Sequence, residues 1–86
     1  MADREINRRI AAHPYGQIAT FLIRDIERGV YAVGERIPSD SEIMRTYDVA
    51  RETARRAVAI VREAGYVETK PQRGTFVLVR DEDIKS

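Results

Sequence analysis

At 86 residues, 43% hydrophobic and 34% charged, the chain is long enough for one small domain, and it buries only about 60–65% of the surface its unfolded form exposes. It has no cysteine and one histidine, which excludes a disulfide framework and a thiolate metal site, and its apolar runs are too short for a membrane span or a signal sequence. The net charge of +1 is unevenly spread: residues 1–48 carry seven Lys/Arg against eight Asp/Glu, residues 49–80 seven against three, and residues 81–86 one against three.

Residues 1–13 are polar with scattered isoleucine and are assigned to an amino-terminal arm, helical or flexible. Helical signal begins at Pro14, a residue suited to a first turn because its missing N–H has no partner to lose there. Tyr15, Ile18, Ala19, Leu22 and Ile26 follow as an apolar stripe of helical period. Phe21 and Ile23 fall outside that stripe, so the helix is expected to be covered on more than one side. Gly29 closes it as a left-handed cap. Arg36 and Ile37 form a candidate short strand, since Pro38 disfavours helix in the residue before it.

Ser39 and Glu42 have the spacing of a capping box, which predicts a short second helix through Ile43, Met44 and Tyr47. Asp48, tolerant of the left-handed conformation, ends it. A third helix is expected from about Arg51 to Ala64, with Ala54, Ala57, Val58 and Val61 inward and Gly65 at its close. The segments "YVETK" and "TFVLV" read as strands joined by the turn "PQRG". Residues 80–86 look like a polar tail or the start of a linker.

On a wheel with Ala54 at zero, Arg51, Arg62 and Arg55 lie near 60°, 80° and 100°, and Glu52 and Arg56 near 160° and 200°, at roughly 100° per residue. Glu52 and Arg56 are expected to pair at i, i+4. Arg51 and Arg55 have no acidic neighbour on their own side. A guanidinium so placed can bond guanine O6 and N7 together. Two short helices joined by a tight turn make a helix-turn-helix, and the hairpin after them makes it winged. The hairpin tip, Gln72, Arg73 and Gly74, suits the minor groove or its flanking phosphates. The fold class is therefore α+β, a winged helix-turn-helix of three helices and a small antiparallel hairpin.

From about Pro14 to Val79 the chain resembles the amino-terminal DNA-binding domain of the GntR family of bacterial transcription regulators. The likeness is carried by "YGQIATFLIRDIERGVYAVGERIPSDSEI", "YDVARETARRAVAIVREAGYVET" and "RGTFV" in family order and spacing. The resemblance implies operator DNA with an inverted repeat as partner, a homodimer, and a small-molecule effector sensed by a separate carboxy-terminal domain that the 86 residues do not contain. It implies guanine contact by Arg51, base or phosphate contact by Thr53, and a further contact by Arg55 one turn on. Arg36 is expected at phosphate, and Arg73 and Gly74 at the wing. Glu52 is counted with these first-turn positions as DNA-binding.

Four positions depart from the family pattern. Ser41 stands where an arginine is common, with Arg45 one turn later expected to reach phosphate in its place. Ala50 replaces a capping hydroxyl, Asp48 a turn glycine and Gln72 a wing glycine. No enzyme chemistry is expected, because His13 has no evident partner and suits a surface or capping role. Cofactor, metal and membrane are likewise not expected. The reading is a cytoplasmic repressor that places helix 51–64 in the major groove and turn 71–74 at the minor groove or phosphates. The alternative is a winged helix that binds protein instead of DNA.

Overall fold

The computed structural model describes residues 5–8 and 13–79. The expectations for the rest of the arm and for tail 80–86 lie outside the described residues.

Helix α1 (Pro14–Glu27) begins where Pro14 was expected to start it and buries Ile18, Ala19, Leu22 and Ile26. Phe21 and Ile23 are half-buried against the core, and the Phe21 ring stacks on Tyr47 with centroids 6.0 Å apart. The second side of the helix is thus covered by α2 (Asp40–Tyr47). Gly29, at φ 82°, follows the helix end, and its N–H donates to the Ile26 carbonyl at 3.1 Å. His13 occupies the amino-terminal cap position without a side-chain capping bond. Its ring stacks on Tyr15 instead, 5.1 Å between centroids.

The capping box of α2 is complete. The Ser39 N–H donates to Glu42 Oε1 at 2.7 Å, and the Glu42 N–H donates to Ser39 Oγ at 3.2 Å. Asp48 caps the other end in the left-handed region, φ 55° and ψ 57°. Helix α3 (Arg51–Glu63) starts from an extended Ala50 that offers no capping oxygen. Its inner stripe of Ala54, Ala57, Val58 and Val61 is buried, and the two alanines let α3 lie close against α1 and α2.

The hairpin consists of β1 (Val67–Lys70) and β2 (Gly74–Val77), antiparallel, with Val67 opposite Val77 and Lys70 opposite Gly74. Both strands start away from the expected residues. Tyr66 precedes β1, and β2 begins at the turn glycine and ends at Val77, not at Val79. The shift follows from Gly74, whose φ of 128° lets a residue that reads as turn join the ladder. Segment 34–37 runs beside β2 as a third, shorter edge. Gly34 and Ile37 donate to the carbonyls of Val77 and Thr75 at 2.8 and 2.9 Å, and Val77 donates to Glu35 at 2.9 Å. Arg36 stands opposite Phe76, so the short strand expected at 36–37 is present as a bridge.

Residues 5–8 lie against the body without regular structure. Ile6 packs on the core, while Asn7 and Gln17 exchange two hydrogen bonds at 2.7 and 2.9 Å. One core, built from the three helices, Ile37, Val67 and Val77, therefore fixes both the helix pair and the wing.

Candidate nucleic-acid interface

The turn between α2 and α3 decides how α3 is presented. The left-handed Asp48 reverses the chain, and the Val49 N–H returns to the Met44 carbonyl at 3.2 Å. Carbonyls at a helix end have no partner within the helix. Here Arg8 supplies one, its Nη2 lying 3.4 Å from the Tyr47 oxygen and 3.0 Å from that of Asp48. The arm thus braces the turn, a contact with no signal in the sequence because it depends on tertiary approach.

With the stripe of α3 buried, its outer arc carries arginine. Arg51, at the first helical position, is exposed and its Nη2 is 3.5 Å from Ser41 Oγ on α2. Arg55 is exposed and holds no side-chain partner among the described residues. Thr53 is half-buried on the flank of α3 opposite the two arginines, and Glu52 is exposed. Arg62, on the same arc as the wheel placed it, was not counted among the DNA-binding positions. It turns toward the wing, Nη1 donating to Thr69 Oγ1 at 3.1 Å, and Thr69 meets Thr75 across the hairpin at 3.1 Å.

Arg56 corrects an expectation. It forms no ion pair with Glu52 among the described residues, and its guanidinium lies over the Tyr15 ring, 5.0 Å from the centroid. An exposed i, i+4 pair is worth only a few tenths of a kcal/mol, whereas a cation over an aromatic face gains about 0.5–1 kcal/mol at an exposed site. The aromatic partner prevails.

The wing completes the face. Its tip turns through Gln72, which takes φ 66° where glycine would be unstrained, and the Arg73 N–H closes on the Lys70 carbonyl at 3.0 Å. The Arg73 side chain is exposed and without a partner among the described residues. Lys70, missed from the sequence, sits with Nζ 5.4 Å from the Phe76 centroid and 3.8 Å from Glu68. Between the wing and the start of α2 opens a cleft of about 240 Å³ lined by Arg36, Ser39, Lys70, Gln72 and Gly74 among others. Glu42, which caps back onto Ser39, is held below the usual carboxylate range. The Ser39 backbone N–H is the main cause, followed by the Ser39 hydroxyl and, more weakly, the charges of Arg36 and Arg45. The structure thus brings Arg51 and Arg55 together on one side of α3, with Thr53 on the opposite flank, and Arg36 and Gly74 together at the wing. Arg45 is exposed on α2, on the Glu42 side.

Three helices, a tight turn between the second and third, an arginine-bearing third helix and a basic hairpin define a winged helix-turn-helix, the DNA-binding unit of a transcription regulator. Residues 14–77 match the model for the bacterial regulatory proteins of the gntR family, and the chain belongs to that family. It is similar to the Exu regulon transcriptional regulator of Escherichia coli K12, 36% identical over 64 residues that make up 74% of this chain and 25% of that protein. It is also similar to the Uxu operon regulator of Haemophilus influenzae, 31% identical over 75 residues, 87% of this chain and 28% of the relative. The chain therefore spans about a quarter of the length of these relatives. Among solved structures, the AraR DNA-binding domain in complex with operator ORR3 superposes with TM-score 0.76 at 25% identity, covering 84% of this chain and 87% of that one. YtrA of Sulfolobus acidocaldarius, a GntR-family transcription factor, shares the fold with TM-score 0.82 at 23% identity, covering 92% and 83%.

Proposed function

We propose that the chain recognises operator DNA by placing α3 in the major groove and the 71–74 turn at the minor groove or the flanking phosphates. Arg51 reads guanine, Thr53 and Arg55 hold neighbouring base or phosphate positions, and Glu52 borders them. Arg36, Arg45 and Arg73 take phosphates, with Gly74 at the wing. The observation that carries this reading is that Arg51 and Arg55 stay exposed on the outer arc of α3 while Arg56 is turned away onto Tyr15. A guanidinium that is not neutralised within its own domain is available to a phosphate or a base edge.

Repression of transcription belongs to the same proposal, as do two-fold binding to an inverted repeat and control by an effector through a carboxy-terminal domain. In it, residues 14–79 are the DNA-binding unit, residues 1–13 an arm and residues 80–86 a polar tail or the start of a linker, working in the cytoplasm. Among the described residues no helix is long and apolar enough to cross a membrane.

Selection of bound sequences from a random duplex pool tests the proposal directly. The expected outcome is a consensus with a guanine in each half-site, and binding that weakens steeply with salt because counterions are released at each phosphate contact. An unenriched pool, or no retention of duplex even at low salt, would reject it in favour of a protein-binding winged helix.

A further inference from the structure

Arg36 and Gly74 meet across the wing. Segment 34–37 runs antiparallel to β2 with Arg36 opposite Phe76, and residues two apart on a strand share a face. Gly74 and Phe76 therefore lie on the face that the Arg36 side chain crosses. A methyl carbon placed on Gly74 would stand 2.6 Å from Arg36 Cδ, closer than carbon atoms approach, and a tight 3.1 Å from its Cγ. The stem of Arg36 thus occupies the space that any side chain at position 74 would take. Arg36 also lines the cleft between the wing and the start of α2, together with Ser39, Lys70 and Gln72. Its charge reaches Glu42.

We infer that Gly74 serves DNA binding through Arg36: the bare Cα of the wing glycine seats the arginine stem, and this holds the guanidinium beside the cleft as a phosphate-binding cation. Gly74 is the positioning residue and Arg36 the contacting one. The inference rests on the proposed DNA-binding function and adds to it a coupling between the linker before α2 and the tip of the wing. It also separates two reasons for glycine at this position. A φ of 128° demands glycine for backbone strain alone, whereas the seat demands it for the sake of Arg36.

Phosphate contact is independent of sequence, so a mixed-sequence duplex serves as probe. Binding is measured against salt for the wild type, Arg36→Met, Gly74→Ala and the double variant, with thermal midpoints recorded alongside. Arg36→Met keeps an unbranched stem on Gly74 and removes the charge. It is expected to lower the salt slope by about 0.9, one phosphate's worth, with the midpoint little changed. Gly74→Ala removes no charge, yet is expected to lower the slope by a similar amount, and the double variant no further than Arg36→Met alone. A purely structural glycine would lower the midpoint and leave the slope intact. That result would overturn the inference, as would a full additional fall in slope in the Arg36→Met background, which would mean that Arg73 or Lys70 had been displaced instead.

Should Gly74→Ala fail to fold, the wild-type chain supplies the deciding measurement. A nuclear Overhauser contact between the Gly74 α-protons and the Arg36 δ-protons supports the seat, and its absence refutes it. If the wild type holds no duplex at any salt while that contact is present, the DNA-binding function itself has failed and the phosphate role falls with it.

Discussion

Arg51 sits where α3 emerges from the turn, and among the described residues its only side-chain neighbour by hydrogen bonding is the Ser41 hydroxyl at 3.5 Å. So long a contact is too weak to hold the guanidinium against a bidentate guanine. Arg51→Ala is expected to weaken specific binding by about 1–3 kcal/mol and to relax preference at one guanine per half-site. Equal losses on selected and random duplex would refute base reading by this residue. One turn on, Arg55 and Arg56 are adjacent in sequence but differ in surroundings. Arg55→Ala is expected to lower DNA affinity with little effect on folding. Arg56→Ala is expected to cost about 0.5–1 kcal/mol of stability through loss of the Tyr15 contact, with DNA affinity nearly unchanged. Denaturation and titration of the two variants side by side would decide it, and a larger binding loss for Arg56 would mean that α3 enters the groove on another face. The helical wheel separated these two arginines correctly but assigned Arg56 the wrong partner. A wheel sees only its own helix, and Tyr15 lies on α1.

The short helix α2 shows what local sequence can specify. Its capping box needs only Ser39 and Glu42, three residues apart, so it was legible before any fold was known. Glu42 bears a depressed pKa, relative to a usual 4.5, because its charged form accepts from the Ser39 N–H. The unfolded chain therefore takes up a proton at higher pH than the folded one. The stabilisation from this carboxylate is fully present above about pH 4.5 and is lost as pH falls through the lower folded value. Glu42→Gln keeps an acceptor without a charge, so the wild type's advantage over this variant is expected to shrink below that pH. Urea midpoints measured across the acid range would show it, and an advantage that grew on acidification would refute the assignment. The hairpin was less legible. Its residues announced strands, but its register depends on Gly74 entering the ladder and on segment 34–37 arriving from the other side. Arg62 bonding to Thr69, and Arg8 bracing the Asp48 carbonyl, are likewise products of tertiary approach that no local spacing encodes.

For the whole molecule, the fold class followed from the order and period of the elements, because three amphipathic segments and a hairpin leave few ways to close one core. What remains outside is sparse. Among the described residues the large apolar side chains left exposed are Val30, Val33 and Val79, too few to build a strong interface. The 86-residue chain is expected to be monomeric at micromolar concentration and to fill an inverted repeat with two copies that bind each half-site weakly. Joining two copies through a dimerising partner raises the effective concentration at the second half-site, and with it affinity by about 10²–10⁴-fold. Sedimentation showing a tight dimer without DNA would contradict this and would implicate the arm or the outer side of α1.

The edge formed by residues 34–37 also matters during synthesis. It leaves the ribosome before β2, the strand that satisfies it, so the segments of all three helices are already outside while Ile37, buried in the finished domain, still has no strand to pair with. Gly34 and Ile37 offer their N–H groups to nothing until Thr75 and Val77 emerge. An unpaired edge of this kind invites association with other chains, and domains fold as units during translation. Chains stalled on the ribosome with progressively more of the sequence exposed are therefore expected to gain protease resistance in one step, when Val77 clears the exit tunnel. Resistance already present in chains exposed only as far as Gly65 would show that the helices stand alone and that the wing is added to a finished body.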